Sequence, residues 1–282
     1  MLLAALWGAS FLFMRIAAPE FGPVPLIEFR VLIGALFLTP VLALRNGLQG
    51  LAPHAMPLFI VGLTNSVLPT CLVAFATLSI TAGFTSVLSA TSPFFAAIVA
   101  YVWLKERLFF PRIVGLVIGF SGVVVLVWGK VSFKTGGAGL AVVAMLAAAL
   151  LYGISANYMR KHLPAMNSLA TATGSQIGSA IFLLPFSLWS LPDVLPSVAA
   201  WTAAVSLGIL STGIAYILYF RLVSNLGATR AIAVTFLSPV FGMLWGMLVL
   251  DELITLNMLA GTAIILAGTA LTTGFIALPK KG

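Results

Sequence analysis

Hydroxyl side chains recur at helical spacing inside apolar sequence. Thr85, Ser89 and Ser92 stand at i, i+4 and i+7, and Ala231, Thr235 and Ser238 repeat that spacing later in the chain. Such spacing puts the side chains on one helix face. Hydroxyls there could hydrogen-bond a polar solute, or they could bond back to carbonyls of their own helix. Both readings stand on sequence. Each set ends in Ser-Pro, at Ser92-Pro93 and Ser238-Pro239. Proline removes a backbone donor and leaves a carbonyl without its helical partner, so each Ser-Pro predicts a kink with a polar group beside it. Asn65, Ser66, Pro69 and Thr70 make another such cluster, and Ser211, Thr212 and Tyr216 a third. Trp7, Tyr152 and Ser155 add two aromatics and a hydroxyl. The aromatics could line the same cavity or belong to membrane-interface belts.

Charged candidates are few. Glu28 and Arg30 are the only opposite charges close together within an apolar run, and two residues apart on a helix they do not face each other. Arg30 is expected about one turn below the outer surface, snorkelling to it or serving an outer gate with Glu28. Cys71 is the only cysteine, so an intrachain disulfide or a cysteine metal site is excluded, and it reads as a small buried hydrophobe. His54 and His162 lie beside loop signals with no zinc spacing. With no nucleophile–base pair and almost no mid-span acid, the chain is not expected to be an enzyme, and no cofactor or metal is expected.

The elements that must position these groups follow from composition. Of 282 residues, 61% are hydrophobic and 7% charged, whereas soluble domains carry about 25% charged residues. Lipid is therefore the solvent, the bilayer a partner, and nucleic acid is excluded despite the net charge of +8. A bilayer core needs about 20 apolar helical residues. Ten such stretches are legible, at about 2–18, 25–44, 55–76, 82–103, 110–129, 138–159, 168–189, 198–220, 228–250 and 255–276, with a weak break near Ser79 to Ala82. Residues 2–14 lack the basic region of a signal peptide. The chain begins almost directly in an apolar run, which leaves room for a few further N-terminal residues. With the N-terminus inside, ten of the 14 basic residues fall inside and five of the six acids outside. The positive-inside bias predicts cytoplasmic termini, a plasma (inner) membrane location and an even number of spans.

The chain repeats itself. Ser92-Pro93 matches Ser238-Pro239, Glu106 matches Glu252, and Gly62, Gly115 and Gly122 match Gly208, Gly261 and Gly268, all at one offset; Trp7-Gly8 matches Tyr152-Gly153 at an offset one shorter. Residues 1–136 and 137–282 each hold five spans. An odd number inverts the second half, and the basic loop KERLFFPR answers to DELITLNM, which lacks those charges. Inverted repeats are typical of secondary transporters, whose site lies near the midplane between the halves. GxxxG patterns at Gly115/Gly119, Gly174/Gly178 and Gly242/Gly246 predict close helix packing; a monomer is expected, with a dimer interface as the alternative.

Trp7-Gly8-Ala9-Ser10-Phe11, Phe29-Arg30, Pro93 with Glu106, Gly227-Ala228-Thr229-Arg230 and Pro239 with Glu252 resemble the EamA-type drug/metabolite transporters over the whole chain. The resemblance implies an all-α fold of ten transmembrane helices as two five-helix inverted repeats around a central cavity, with alternating access, and relatives that export amino acids and other metabolites. One departure is Ser238, where relatives often carry glutamate. On the residues, phosphorylated solutes would need cationic partners that mid-span positions lack. Hydroxyls, one asparagine and aromatics suit a small neutral or zwitterionic solute, amino acids foremost. Other metabolites or drugs, a channel and a scramblase are the alternatives. Only Glu28 could carry a proton within a span, so transport is expected to follow the solute gradient.

Overall fold

Ten helical spans lie among residues 1–129, 138–226 and 233–275, which the computed structural model describes, and no strand occurs there. They are α1 (Leu2–Phe21), α2 (Pro23–Ala43), α3 (Leu48–Thr77), α4 (Ala82–Trp103), α5 (Phe110–Val127), α6 (Gly139–His162), α7 (Ser168–Trp189), α8 (Val198–Asn225), α9 (Ala233–Leu250) and α10 (Leu256–Thr272). The first eight are long and apolar enough to cross a bilayer, and α9 and α10 are shorter apolar helices. The fold is that of a polytopic all-α membrane protein. The boundary expected at 136/137, and the Gly227 to Arg230 motif with Ala231, lie outside the described residues.

Local chemistry sets the ends. The first span continues through Pro19 to Phe21, and Gly22 alone, at φ 76°, turns the chain into α2. A side chain at that φ would clash. The weak break before the fourth span is sharp in the structure: the Thr81 hydroxyl accepts from Phe84 N at 3.2 Å and caps α4. Lys105 and Asp251, which match in the repeat, take the same left-handed conformation (φ 57° and 53°) just past the ends of α4 and α9. The next residue's N–H then reaches back into each helix, Glu106 N to Ala100 O and Glu252 N to Gly246 O, a left-handed C-terminal cap.

The packing carries the repeat. The main contacts pair α5 with α10, α2 with α7 and α4 with α9; α1 lies on α8 and α9, α6 lies on α3 and α4, and α3 meets α7 as α8 meets α2. Adding five to each helix number, wrapping at ten, returns the same set. Glycines bring the backbones close. A methyl at Gly8 of α1 would fall 2.7 Å from Phe241 Cβ and 2.8 Å from Gly242 N of α9. One at Gly153 of α6 would fall 2.7 Å from Ala96 N of α4, the repeat equivalent of Gly242.

Helices alternate in direction, so the bundle has two ends. The acid-rich end carries Glu20, Asp193, Asp251 and Glu252; the basic end carries Arg45, Lys105, Arg107, Arg112, Arg160, Lys161 and Arg221.

Candidate functional site

Both third spans of the repeat lose regular α-helix at corresponding depth. Gly62–Val67 in α3 and Ile209–Ile214 in α8 are π-helical. A π turn leaves backbone groups off their usual partners and often marks a functional site. In α8 the Thr212 hydroxyl takes up one of them, donating to Leu207 O five residues back at 3.1 Å. In α3 the Thr70 hydroxyl donates to Ser66 O just beyond the π segment, beside Pro69.

Polar side chains converge on these segments. Arg30 does not snorkel to the bundle end: seven residues into α2, about 10 Å along the axis, its Nε donates to Thr212 Oγ1 at 3.1 Å. The helix turns that face towards α7 and α8, so the guanidinium meets the hydroxyl freed at the π turn. Arg30 also lies within electrostatic range of Tyr152 on α6, Tyr216 on α8 and Cys71 on α3. The Tyr216 hydroxyl sits against the amides of Asn65 and Gln176. Arg30, Asn65, Cys71, Tyr152 and Tyr216 are half-buried, whereas Gln176 and Thr212 are buried. Gly34, one turn beyond Arg30, makes the room: a methyl there would lie 2.8 Å from Thr212 Cγ2 and 3.8 Å from Gln176 Cδ. Five helices thus enclose one polar centre, with Arg30 as its cation among the described residues.

Several buried atoms around this centre lack a hydrogen-bond partner among the described residues: Ser66 Oγ, Ser155 Oγ and Gln176 Oε1. On another face of α2, Glu28 Oε2 also lacks a partner among the described residues, and its side chain does not ion-pair with Arg30; the ion pair found among the described residues is Arg160–Glu106, at 2.8 Å.

The remaining expected residues make other contacts. Trp7 packs at a tilt against Tyr219 (centroids 5.4 Å apart) in an apolar cluster with Ala215, Val234 and Leu237. The Ser211 hydroxyl ties α8 to α1 by donating to Leu6 O at 2.8 Å. On α4, Thr85 donates to Thr81 O, Ser89 to Ser86 O and Ser92 to Ser89 O; on α9, Ser238 donates to Val234 O. The hydroxyls of those four serve their own helices. Ser89 and Ser92 remain half-buried and Thr235 is exposed. The fourth span is broken at Ala90 and Thr91, just before Pro93, and the Thr269 hydroxyl of α10 donates to Ala90 O at 3.2 Å. Helices α4 and α9 pack directly, the Ser86 hydroxyl reaching Pro239 O at 3.2 Å. Gln176 is the one member of the centre that the sequence reading passed over. A lone amide within an apolar span was the available signal.

The two ends differ. At the acid-rich end, Glu252 accepts from Ala82 N (2.8 Å) and Gly83 N (3.1 Å), and Glu20 accepts from the Ser197 hydroxyl (2.8 Å). Both contacts join the first-half helices to second-half ones. At the basic end a groove of about 380 Å³ opens between α2, α7 and α8, lined by Arg45, Asn167, Ser168, Phe220, Arg221 and Ser224 among others. Phe220, on the wall of this groove, stacks on Tyr216 of the polar centre (centroids 5.8 Å apart).

The chain matches the model of the EamA-like transporter family twice, over residues 1–128 and 139–274. It is 26% identical over 275 residues to the uncharacterized transporter YoaV of Bacillus subtilis, covering 95% of this chain and 93% of YoaV. It is 25% identical over 276 residues to a probable terminal-alkyne amino-acid exporter of Streptantibioticus cattleyicolor, covering 94% and 89%. A solved protein structure superposes over 97% of this chain and 94% of its own with a TM-score of 0.68, at 19% identity.

Proposed function

The chain belongs to the EamA-like transporter family, and from that premise we propose that it exports small neutral or zwitterionic metabolites, amino acids foremost, by alternating access. The observation that carries the reading is the polar centre between α2, α3, α6, α7 and α8, with Glu252 hydrogen-bonded to the start of α4 at the acid-rich end and a groove between α2, α7 and α8 at the basic end. Positive-inside bias makes the basic end cytoplasmic, so a cytoplasmic solute would enter by that groove. Arg30, Asn65, Ser66, Tyr152, Gln176, Thr212 and Tyr216 contact it there. The faces of α4 and α9 that bear Thr85, Ser89, Ser92, Thr235 and Ser238, with Trp7, form the wall that shifts when the halves 1–136 and 137–282 rock. Opening the other side would break the Glu252 and Glu20 contacts and close the groove.

Within the family the chain also resembles YddG, a bacterial exporter of aromatic amino acids, and the tyrosines of the centre suit apolar side chains. The relative named as an amino-acid exporter supports the same substrate class. Purified protein in sealed vesicles tests the reading. Uptake of amino acids should saturate and be competed by analogues. Flux that is linear in solute and indifferent to analogues would indicate a channel and overturn it.

A further inference from the structure

Arg30 is a cation set among apolar spans without an acid to balance it. A charge within a membrane span is costly without a counter-charge even when half-buried, and a ligand can supply that opposite charge. We propose that Arg30 is the anchor for the carboxylate of the transported solute, with Thr212 as its positioning residue and Gln176 as acceptor for the solute's ammonium group. This rests on the transport reading above and names the chemistry of its site.

The hydrogen bonds fix the direction of each group. The Thr212 hydroxyl gives its proton to Leu207 O and so has only a lone pair left, which accepts Arg30 Nε–H. That bond holds one edge of the guanidinium. Among the described residues no acceptor takes the Nη groups, and the nearest acid in sequence, Glu28, is buried on another face of α2. Two parallel N–H groups on a planar fork match the two oxygens of a carboxylate. One cation suits one carboxylate; a phosphate dianion would call for more. Nearby, Gln176 is 2% exposed with its Oε1 unpartnered, while the same amide lies against the Tyr216 hydroxyl. A buried acceptor without a donor is costly, and a solute ammonium satisfies it. Gly34 brings Thr212 and Gln176 to one place on α2, so both ends of an α-amino acid meet the same patch. Its side chain is then left to the tyrosine faces.

The test compares L-phenylalanine, L-phenylalaninamide and 2-phenylethylamine as thermal-shift ligands of the purified protein, and as competitors of L-phenylalanine flux in vesicles. L-Phenylalanine should stabilise the protein, and the two probes without a carboxylate should not. Arg30→Gln should weaken L-phenylalanine by roughly tenfold to a hundredfold, and Arg30→Lys by less, since a lysine keeps the charge and loses the fork. Thr212→Val keeps the cation and should weaken binding less than Arg30→Gln; it reports on the same anchor if Arg30→Gln does not fold. Phenylalaninamide binding as well as L-phenylalanine, or a folded Arg30→Gln binding like wild type, overturns the inference and leaves the transport reading intact. Failure of wild type to bind L-phenylalanine also overturns it. Absence of saturable flux for any solute, with carboxylate-dependent binding preserved, overturns the transport reading instead.

Discussion

The Glu252 carboxylate, at the end of α9, accepts a hydrogen bond from Ala82 N at the start of α4 at 2.8 Å and a second from Gly83 N at 3.1 Å. The repeat equivalent of Glu252 is Glu106, which bonds instead to the Arg160 side chain at 2.8 Å. Matched carboxylates thus serve different partners at opposite ends of the bundle.

Their contributions should differ accordingly. Glu252 caps a helix N-terminus, where anions are favoured and loss of the cap costs about 0.5–2 kcal/mol. Glu106 and Arg160 have side chains 41% and 51% exposed, and such surface pairs contribute about 0–1 kcal/mol. Glu252→Ala should therefore lower thermal stability in detergent by more than Glu106→Ala. Under the proposed mechanism it should also favour opening at the acid-rich end. Equal melting temperatures for the two variants would contradict the cap assignment.

The pseudo-symmetric crossings make a paired prediction. A methyl at Gly8 or at Gly153 would press on backbone atoms of the facing helix, which cannot swing aside as a side chain can. Gly8→Ala and Gly153→Ala should each cost about 1–3 kcal/mol by overpacking. Gly50→Ala, with nothing within 4 Å of the added carbon, is the control and should melt like wild type. Thermal unfolding of the three variants decides it, and a silent Gly8→Ala would mean that α1 and α9 are farther apart.

Orientation is open to direct measurement. Leu195, between α7 and α8, is 89% exposed and Phe109, before α5, is 66% exposed, at opposite ends of the bundle. In a Cys71→Ser background, Leu195→Cys should react with an impermeant thiol reagent on intact cells and Phe109→Cys should not. The reverse pattern would put the basic end outside.

How much of this was legible beforehand varies with the physics. Hydropathy gave the ten spans, because length and composition decide membrane insertion, and glycine and proline offsets gave the repeat. The rotation of each helix was hidden. A helix that is apolar all round has no stripe to show which side faces inward. Arg30, expected about one turn below the outer surface as a snorkelling or gate residue, was therefore not assigned to an inward face, although Gly34 one turn on marks the same crowded face. Gln176 was passed over because it stands alone between Gly174 and Gly178, which were explained by packing. The paired π segments have no local signature; Gly62 and Gly208, which stand at or beside their starts, were read only as matching positions of the repeat. On α4 the spacing put Thr85, Ser89 and Ser92 on one face, and the hydroxyls of that face bond within their own helix.

The last point separates a residue's hydroxyl from its position. Ser89 Oγ donates to Ser86 O at 2.8 Å within α4, so Ser89→Ala removes a bond the helix does not need and should change stability and transport little, within about 0.5 kcal/mol. Ser89 is nevertheless half-buried beside the break at Ala90. If that face borders the solute path, Ser89→Leu should block transport through bulk, and Thr235→Leu on α9 should do the same, with protein level and melting temperature unchanged. Thr212 behaves in the opposite way. Thr212→Val keeps the volume and deletes the acceptor for Arg30 Nε, and should slow transport by less than the roughly tenfold to hundredfold loss expected of Arg30→Gln. The expected order of transport is wild type equal to Ser89→Ala, Thr212→Val well below both, and Ser89→Leu near zero. Initial rates in vesicles at equal protein give that order. A Ser89→Leu variant that transports normally would move the solute path away from α4 and place it wholly among α2, α3, α6, α7 and α8.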